Sequence, residues 1–278
     1  MPCNLDEIAE KTSLHHYNSS HNSYCLCSVL PFFCTRSLSI VIPAYNEERR
    51  IGKTLEKINE YVRLKNISTE IIVVSDGSLD HTNEILKNAE KTIQNCSVII
   101  FSKNYGKGFA VQKGVQMSSG KYILFCDADN STPIEEYGKL LSALKNHSAD
   151  ISIGSRYLAD SDVKIRQPKY RIWLGRIGNF LISSFLIDGI KDTQCGFKLF
   201  RHAVAKQIFS LQKVKRFGFD MEILAIAELR GVRVIEIPVS WLDSPDSRVR
   251  PIKDALITLK DLVYIKLNLL SGRYLRDE

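Results

Sequence analysis

The two aspartates at positions 127 and 129 are the residues of this sequence best suited to chemistry. They follow five mostly apolar residues, Tyr122 to Cys126, which have the length and composition of a buried strand. Because alternate side chains of an extended chain share a face, Asp127 and Asp129 are expected to point the same way. Mg²⁺ is typically held by one or two carboxylates together with substrate phosphate oxygens. The spacing therefore suits a metal–diphosphate site, and it equally suits an acidic loop in which Asp127 caps a turn and Asp129 is solvated.

Apolar runs alternate with amphipathic stretches on both sides of this pair. The predicted strands span residues 38–42, 70–74, 97–101, 122–126 and 150–154, and the predicted helices between them span 47–64, 82–91, 109–117 and 134–145. This alternation predicts an α/β fold with a mostly parallel sheet covered by helices on both faces. In such sheets, ligands bind beyond the carboxyl ends of the strands.

Polar residues follow all five predicted strands, so we expect them to meet at one edge of the sheet. They are residues 43–47, Asp76, residues 104–107, the aspartate pair and Arg156. This edge offers acids for a metal, polar groups for a nucleotide, and the bases Lys107 and Arg156 for phosphate. The combination favours transfer of a group from a nucleotide diphosphate donor. The sequence has neither a Walker A loop nor a GxGxxG turn, and no histidine follows a strand as a Ser/His/Asp triad would need.

The alternation ends after Arg156. Further elements are predicted at residues 172–187 (helix), 195–200 (strand), 219–229 (helix), 232–237 (strand) and 252–270 (helix). The last helix has apolar residues on one side and lysines elsewhere, a pattern typical of a helix that lies on an anionic membrane. A helix packed on the sheet with its lysines in water would have the same pattern.

Composition limits the partners and the compartment. The chain of 278 residues has a net charge of +7 and a pI near 9.0, which favours an anionic partner. A Lys/Arg-rich block with interleaved aromatic residues is absent, which argues against nucleic acid. Seven scattered cysteines favour a reducing compartment. Because the sequence contains neither an apolar run long enough to span a bilayer nor a signal-peptide pattern, we expect a cytoplasmic protein, peripheral to a membrane.

Residues 1–36 differ from the rest of the chain. They are rich in Ser, Asn, His and Cys and have no sustained period, so we expect a flexible extension. Their histidines and cysteines suggest a zinc-stabilised scaffold as an alternative, but the spacing matches none of the usual zinc-finger patterns.

Six short motifs occur in a fixed order along the chain. They are Pro43–Glu47, Val74–Asp80, Asn104–Gly108, Asp127–Asp129, Gly154–Arg156 and Asp192–Lys198. In this order they resemble the family 2 glycosyltransferases with the GT-A fold, and most of all the polyprenyl-phosphate sugar transferases. The resemblance covers residues 38–273 and implies a domain at 37–273, with a nucleotide-binding half at 37–130 and an acceptor half at 131–273.

The resemblance also implies a role for individual residues. A nucleotide sugar would be bound by Pro43, Tyr45, Glu47, Asp76, Lys107 and Asp127. Mg²⁺ or Mn²⁺ would be held by Asp129, with Asp127 contacting either the metal or the ribose. The acceptor phosphate would be bound by Arg156, Arg171, Arg176, Gln194 and Lys198. Catalytic roles would fall to Asp127, Asp129, Arg156 and Asp220. Asp220 is included because an acceptor hydroxyl would need a general base, for which Asp220 and Glu222 are the candidates.

The implied reaction is an inverting transfer of glucose from UDP-glucose to a polyprenyl, dolichyl-type phosphate, in protein glycosylation at the cytosolic face of a membrane. A lipid phosphate is already an anion, so it needs positioning rather than deprotonation. Two other reactions stay open: transfer of mannose from GDP-mannose, and transfer of a sugar to a hydroxyl of a glycan or glycolipid. A nucleotide-sugar-binding protein without catalysis is the alternative from a different class.

Overall fold

The computed structural model describes residues 36–164, 186–187, 189–242 and 251–275, with the side chains of 164 and 251–256 left undescribed. All of these residues belong to the larger of the two units into which the chain divides, residues 34–278. The predicted N-terminal extension up to residue 35, most of the helix predicted at 172–187, and the predicted phosphate ligands Arg171 and Arg176 lie outside the described residues.

The described residues form strands and helices close to those predicted. The strands are β1 (Leu38–Ala44), β2 (Thr69–Asp76), β3 (Cys96–Phe101), β4 (Tyr122–Cys126), β5 (Ile151–Ser155), β6 (Val163–Lys164), β7 (Phe197–Arg201), β8 (Val234–Pro238) and β9 (Trp241–Leu242). The helices are α1 (Ile51–Leu64), α2 (Thr82–Thr92), α3 (Lys107–Met117), α4 (Tyr137–Asn146), α5 (His202–Leu211), α6 (Phe219–Leu229) and α7 (Pro251–Leu270), with a 3₁₀ turn at Ile134–Glu136. Among these described helices, none is both long enough and apolar enough to cross a membrane.

Seven strands form one sheet in the order β3-β2-β1-β4-β7-β5-β8, and β6 pairs with β9. Strand β7 is antiparallel to both of its neighbours, whereas the other pairs of the large sheet are parallel. This confirms the predicted α/β fold with a mostly parallel sheet, and strands β1 to β5 end at one edge. Because β2 and β3 lie on one side of β1 and β4 on the other, the switch point that opens a ligand crevice falls between β1 and β4.

The sheet is buried on both faces, which explains why its central strands are almost continuously apolar. Alternate residues of β1 enter different cores: Ile40 packs with Leu55 of α1 on one face, and Val41 packs with Val111 of α3 on the other. Helices α2 and α4 join the first core, and α5, α6 and α7 join the second. Both cores anchor the strand ends that carry the polar residues.

Two element boundaries near the crevice differ from the prediction. Pro43 was expected to end the first strand, but β1 continues to Ala44. The ladder between β1 and β4 stops at Val41, so Pro43 lies where the strand has a single neighbour and its missing N–H group is tolerated. Helix α1 begins at Ile51 rather than at residue 47, because the carbonyl oxygen of Glu47 accepts hydrogen bonds from the amides of Arg50 and Ile51 in a preceding turn.

Candidate active site

The aspartate pair lies directly after β4, at the switch point. Three hydrogen bonds hold its backbone and one carboxylate. The amide of Asp127 donates to the carbonyl of Gly196 at 3.1 Å, and the Thr54 hydroxyl of α1 donates to the carbonyl of Ala128 at 2.8 Å. The amide of Ser131 donates to Oδ1 of Asp129 at 2.9 Å. These residues, 127–131, are called the acid loop below. The acid loop is therefore positioned by helix α1 and by the segment that precedes β7.

Gly196 is required for the close approach of that segment. A Cβ atom at this position would lie 1.9 Å from Oδ2 of Asp127. Any residue other than glycine would therefore clash with the carboxylate unless the carboxylate moved. Gly196 belongs to the motif Asp192–Lys198, but its role could not be predicted, because its importance lies in a contact between residues 69 positions apart.

Lys107 is the counter-ion of Asp127. It is the first residue of α3, and its Nζ lies 2.7 Å from Oδ1 of Asp127. The ammonium group also lies over the ring of Phe125, 5.2 Å from the centroid. Burial by itself would lower the pKa of Lys107, but the charges of Asp127 and Asp220 outweigh it and raise that pKa. Lys107 therefore carries a full positive charge at neutral pH and neutralises Asp127.

Arg50 is the counter-ion of Asp129, and sequence reasoning missed it. Its NH1 lies 3.6 Å from Oδ2 of Asp129, while Nε and NH2 bind the Glu47 carboxylate at 2.7 and 2.8 Å. The available signal was the spacing of three residues between Glu47 and Arg50, which suits an ion pair at a helix start. The structure thus places Glu47, a predicted nucleotide ligand, in a chain of charges that ends at Asp129.

Asp76, another predicted nucleotide ligand, is almost fully buried at the end of β2. Its two carboxylate oxygens accept hydrogen bonds from the amides of Tyr105 and Gly106 at 2.8 and 2.7 Å. The turn after β3 is thereby tied to β2 and leads into α3 and Lys107. Gly106 has a φ of +116°, and a Cβ there would also lie 2.4 Å from the carbonyl oxygen of Lys215.

The predicted nucleotide ligands at the end of β1 have different environments. Pro43 is buried within the strand, and Tyr45 is exposed just beyond it. The carboxyl ends of β1 to β4 thus carry, at the last residue of the strand or just beyond it, Tyr45, Glu47, Asp76, Lys107 and the aspartate pair. Their direct contact with a nucleotide stays a prediction.

Arg156, the predicted phosphate ligand after β5, is held by a buried carboxylate. Its Nε and NH2 bind the two oxygens of Asp192 at 2.8 Å each, and its backbone amide binds Oδ2 at 2.9 Å. Burial alone would raise the pKa of Asp192, but Arg156 outweighs burial and lowers it. The guanidinium also lies 5.6 Å from the ring centroids of Tyr157 and Trp241. Because Nε and NH2 bind Asp192, a phosphate would meet Arg156 at NH1.

Lys198 and Asp220 form a buried ion pair beneath the acid loop. The Nζ of Lys198 is 2.5 Å from Oδ1 of Asp220 and 2.5 Å from the carbonyl oxygen of Cys195, and Lys198 is fully buried. Burial raises the pKa of Asp220, although Lys198 and Lys107 act in the opposite direction. The sequence placed Lys198 at the acceptor and Asp220 at the catalytic centre. In the structure their charged groups face each other, and both roles stay predictions.

The other residues predicted near the acceptor are Gln194 and Glu222. Gln194 is exposed in the loop between Asp192 and Lys198. Glu222 is fully buried and accepts hydrogen bonds from the amides of Lys213 and Val214 and from the hydroxyl of Tyr274. Glu222 thus holds the segment before α6 in place, and as a candidate base its carboxylate already has three donors.

A comparison with known families places the chain. The profile of Glycosyl transferase family 2 matches residues 39–209. The chain belongs to this family. It is 34% identical over 252 residues to the human dolichyl-phosphate beta-glucosyltransferase, covering 86% of this chain and 78% of the relative. It is 36% identical over 254 residues to the Saccharomyces cerevisiae protein of the same name, covering 85% and 76%.

Solved structures support the GT-A type of fold. Glucosyl-3-phosphoglycerate synthase from Mycobacterium tuberculosis, in complex with Mn²⁺, UDP-glucose and phosphoglyceric acid, superimposes with a TM-score of 0.62. The match covers 89% of this chain and 82% of that chain at 17% sequence identity. At this identity the likeness concerns the fold.

The two carboxylates of Asp127 and Asp129 are of the kind that a hard divalent cation prefers, and their binding of a metal stays a prediction. Within the described parts of the chain, no cluster of three or more His, Cys, Asp or Glu residues could hold a metal ion. Two acids separated by a single residue suit Mg²⁺ or Mn²⁺, which complete their coordination with phosphate oxygens and water. In Asp129, Oδ1 is bound by the Ser131 amide, so Oδ2 is the oxygen better placed for a cation.

Proposed function

We propose that this glycosyltransferase moves glucose, with inversion, from UDP-glucose to the phosphate of a dolichyl-type polyprenyl phosphate. One observation carries the proposal: the aspartate pair lies at the switch point between Tyr45 and Glu47 on one side and Arg156 on the other. The names of the curated relatives, which match about 85% of this chain, support glucose as the sugar and dolichyl phosphate as the acceptor.

In this proposal the nucleotide-binding half, residues 37–130, holds the donor. Tyr45, with Pro43 behind it, lines the pocket for uracil and ribose, and Asp76 shapes that pocket by holding the turn 104–106. Lys107 keeps Asp127 oriented towards the ribose or the metal. Each of these residues lies at or just beyond the carboxyl end of a strand, on the same edge of the sheet.

Asp129, with Asp127, would hold Mg²⁺ or Mn²⁺ on the donor diphosphate. The structural neighbour from Mycobacterium tuberculosis is a complex with Mn²⁺ and UDP-glucose, which supports a divalent cation here. A bound cation neutralises the charge that grows on a departing diphosphate. The protein contributes two carboxylates on a loop whose backbone is held by Thr54 and Gly196, and the Asp129 carboxylate is also bound by the Ser131 amide.

The acceptor half, residues 131–273, positions the nucleophile. Arg156 binds the acceptor phosphate through NH1, because Asp192 holds the planar guanidinium in position through Nε and NH2. Gln194 lies on the same loop as Asp192, and Arg171 and Arg176 are further proposed phosphate ligands. An anionic phosphate oxygen attacks the anomeric carbon from the side opposite the diphosphate, and the C–O bond to the diphosphate breaks.

The surroundings of Asp220 and Glu222 favour a phosphate acceptor over a hydroxyl acceptor. A hydroxyl would need a base, but Asp220 is buried against Lys198 and Glu222 is bound by two amides and a tyrosine. In the proposed reaction the Asp220–Lys198 pair holds the segment at Cys195 in place. A role for Lys198 at the acceptor would require its release from Asp220.

Helix α7 supports contact with a membrane surface, the proposed cytosolic face. Its residues Leu262 and Ile265 are buried against the core, whereas Leu259, Val263, Leu267 and Leu270 form a stripe of side chains that are more than half exposed. The exposed lysines Lys260 and Lys266 accompany the stripe. Apolar side chains accompanied by lysines suit the boundary of an anionic lipid bilayer.

Turnover of a panel of nucleotide sugars, with and without polyprenyl phosphate and with and without EDTA, tests the proposal. We expect a metal-dependent glucolipid product from UDP-glucose that requires the lipid phosphate. A mannolipid from GDP-mannose would change the sugar, and turnover with a soluble glycan would change the acceptor. Absence of a lipid-dependent product from every donor would overturn the proposal.

A further inference from the structure

The two acids of the site have counter-ions of different strength. Lys107 is 2.7 Å from Asp127, within hydrogen-bond distance, whereas Arg50 is 3.6 Å from Asp129, beyond it. Arg50 makes its shorter contacts with Glu47, through Nε and NH2 at 2.7 and 2.8 Å. Asp129 therefore has the looser counter-ion of the two acids.

The atoms involved indicate what this looseness allows. Arg50 faces Oδ2 of Asp129, and the Ser131 amide binds Oδ1. The arginine thus lies next to the oxygen that a cation would use. Since Glu47 already binds two nitrogens of the same guanidinium, Arg50 can give up Asp129 and remain paired with Glu47.

We propose that Arg50 is an exchangeable counter-ion of Asp129 and a positioning residue of the donor site: a divalent cation displaces its NH1 from Asp129, while Glu47 retains the guanidinium through Nε and NH2. This inference rests on the proposed role of Asp129 as a metal ligand. Before the cation binds, Arg50 offsets the negative charges of both Asp129 and Glu47. When the cation binds, Glu47 retains Arg50 near the site, so that the guanidinium adds positive charge where a donor diphosphate would lie.

Binding of Mn²⁺ alone to the purified full-length chain, measured by isothermal titration calorimetry without nucleotide, tests the exchange. Arg50→Met removes the competing charge, and we expect it to bind Mn²⁺ about tenfold more tightly than the wild type, because two cations a few ångströms apart repel strongly. Arg49→Met is the matched control, because Arg49 is the exposed neighbouring arginine. The Mn²⁺ affinity of this variant should stay within about twofold of the wild type.

Glu47→Gln separates exchange from simple charge. The amide cannot hold Arg50 by charge, so the arginine stays over Asp129 and Mn²⁺ binding weakens. If the two residues act through exchange, this weakening disappears in the Arg50→Met background, whereas two independent charges would give additive effects. Arg50→Gln, which keeps a polar side chain, repeats the test if Arg50→Met does not fold.

The outcomes distinguish this inference from the proposed function. Unchanged Mn²⁺ affinity in Asp129→Asn would overturn the metal site itself, and the exchange with it. Loss of Mn²⁺ binding in Asp129→Asn, together with unchanged or weaker binding in folded Arg50→Met or Arg50→Gln, would overturn the exchange alone. Additive effects of Glu47→Gln and Arg50→Met would also overturn it.

Discussion

Ion pairs on the proposed donor side of the site, at Asp127 and Asp129, differ from those on the proposed acceptor side, at Asp192 and Asp220. On the donor side, the Asp127 and Asp129 side chains are 34% and 23% exposed, and the contact between Asp129 and Arg50 is long. On the acceptor side, the Asp192 and Asp220 side chains are 0% and 4% exposed and bind their basic partners at 2.8 and 2.5 Å. One site thus combines two kinds of charge pairing.

The difference matches the role proposed for each side. A partly exposed pair keeps part of its hydration, contributes less to stability than a fully buried pair, and can exchange one cation for another. A buried pair has lost its hydration, so removing one partner leaves an uncompensated charge at large cost. The donor side is therefore suited to binding and releasing ligands, and the acceptor side to holding Arg156 and the β7 segment in fixed positions.

Removing a buried partner should have the largest effect. We expect Asp192→Asn to lower the free energy of unfolding by about 3 kcal/mol at pH 7, because Arg156 loses its buried counter-ion. The folded protein lowers the pKa of Asp192 below its ordinary value of 3.8, so the unfolded chain binds more protons near that pH. The contribution is thus present above pH 3.8 and is lost as the pH falls towards the folded pKa.

Urea unfolding of the wild type and Asp192→Asn at pH 7 and at pH 3.5 measures this effect. The difference between the two proteins should shrink at the lower pH. A difference that stays constant, or one that grows in acid, would contradict the assignment of Asp192 as a buried, charged partner.

On the donor side the effect should fall on activity instead. We expect Asp129→Asn to lower kcat by about a hundredfold or more, since a metal contributes several kcal/mol to charge stabilisation. The free energy of unfolding should change by less than about 1 kcal/mol, because the lost pair with Arg50 is long and partly exposed. Initial rates at saturating Mn²⁺, with urea unfolding alongside, check both statements. Wild-type activity in this variant would refute the metal assignment.

Gly196 joins the two sides, and its substitution should affect both stability and activity. In Gly196→Ala the new methyl group collides with the Asp127 carboxylate, so we expect a loss of about 1–3 kcal/mol of stability and a reduced kcat. Gly138→Ala is the matched control. Its Cβ would lie in ordinary contact with the Tyr61 hydroxyl, 3.9 Å away, in the first turn of α4, so stability should stay within about 1 kcal/mol of the wild type. Equal behaviour of the two variants would contradict the close contact.

The smallest effect concerns Thr54. In Thr54→Val the carbonyl of Ala128 loses its donor, which should cost about 1 kcal/mol and reduce kcat a few-fold as the acid loop loosens. Thr92→Val is the control, because the Thr92 hydroxyl binds the carbonyl of Asn88 in its own helix, far along the chain from the acids. Comparing kcat with the unfolding free energy for both variants isolates the effect on the site. An unchanged kcat in Thr54→Val would show that the loop does not depend on α1.

Much of the fold was predictable because its signals are local. Apolar runs and helical periodicity located the strands and helices of residues 38–154 to within a few residues. The main boundary error, at α1, arose because a turn stabilised by the Glu47 carbonyl precedes the helix. The prediction at Pro43 was wrong for a different reason: a proline can continue a strand where its missing N–H group faces a side without a neighbouring strand, as here beyond Val41.

The sequence by itself determined the α/β class, the common edge of the five strand ends, and the aspartate pair at the end of β4. These depend on residue type and on spacing along the chain, which strand and helix periods convert directly into position. Only the tertiary structure decided which charges are paired. Arg50 faces Asp129, and Lys107 faces Asp127. Lys198 is buried against Asp220 and is not exposed at the edge of the sheet. Ion pairing falls off over a few ångströms, so it depends on contacts between strands and loops that are distant in sequence.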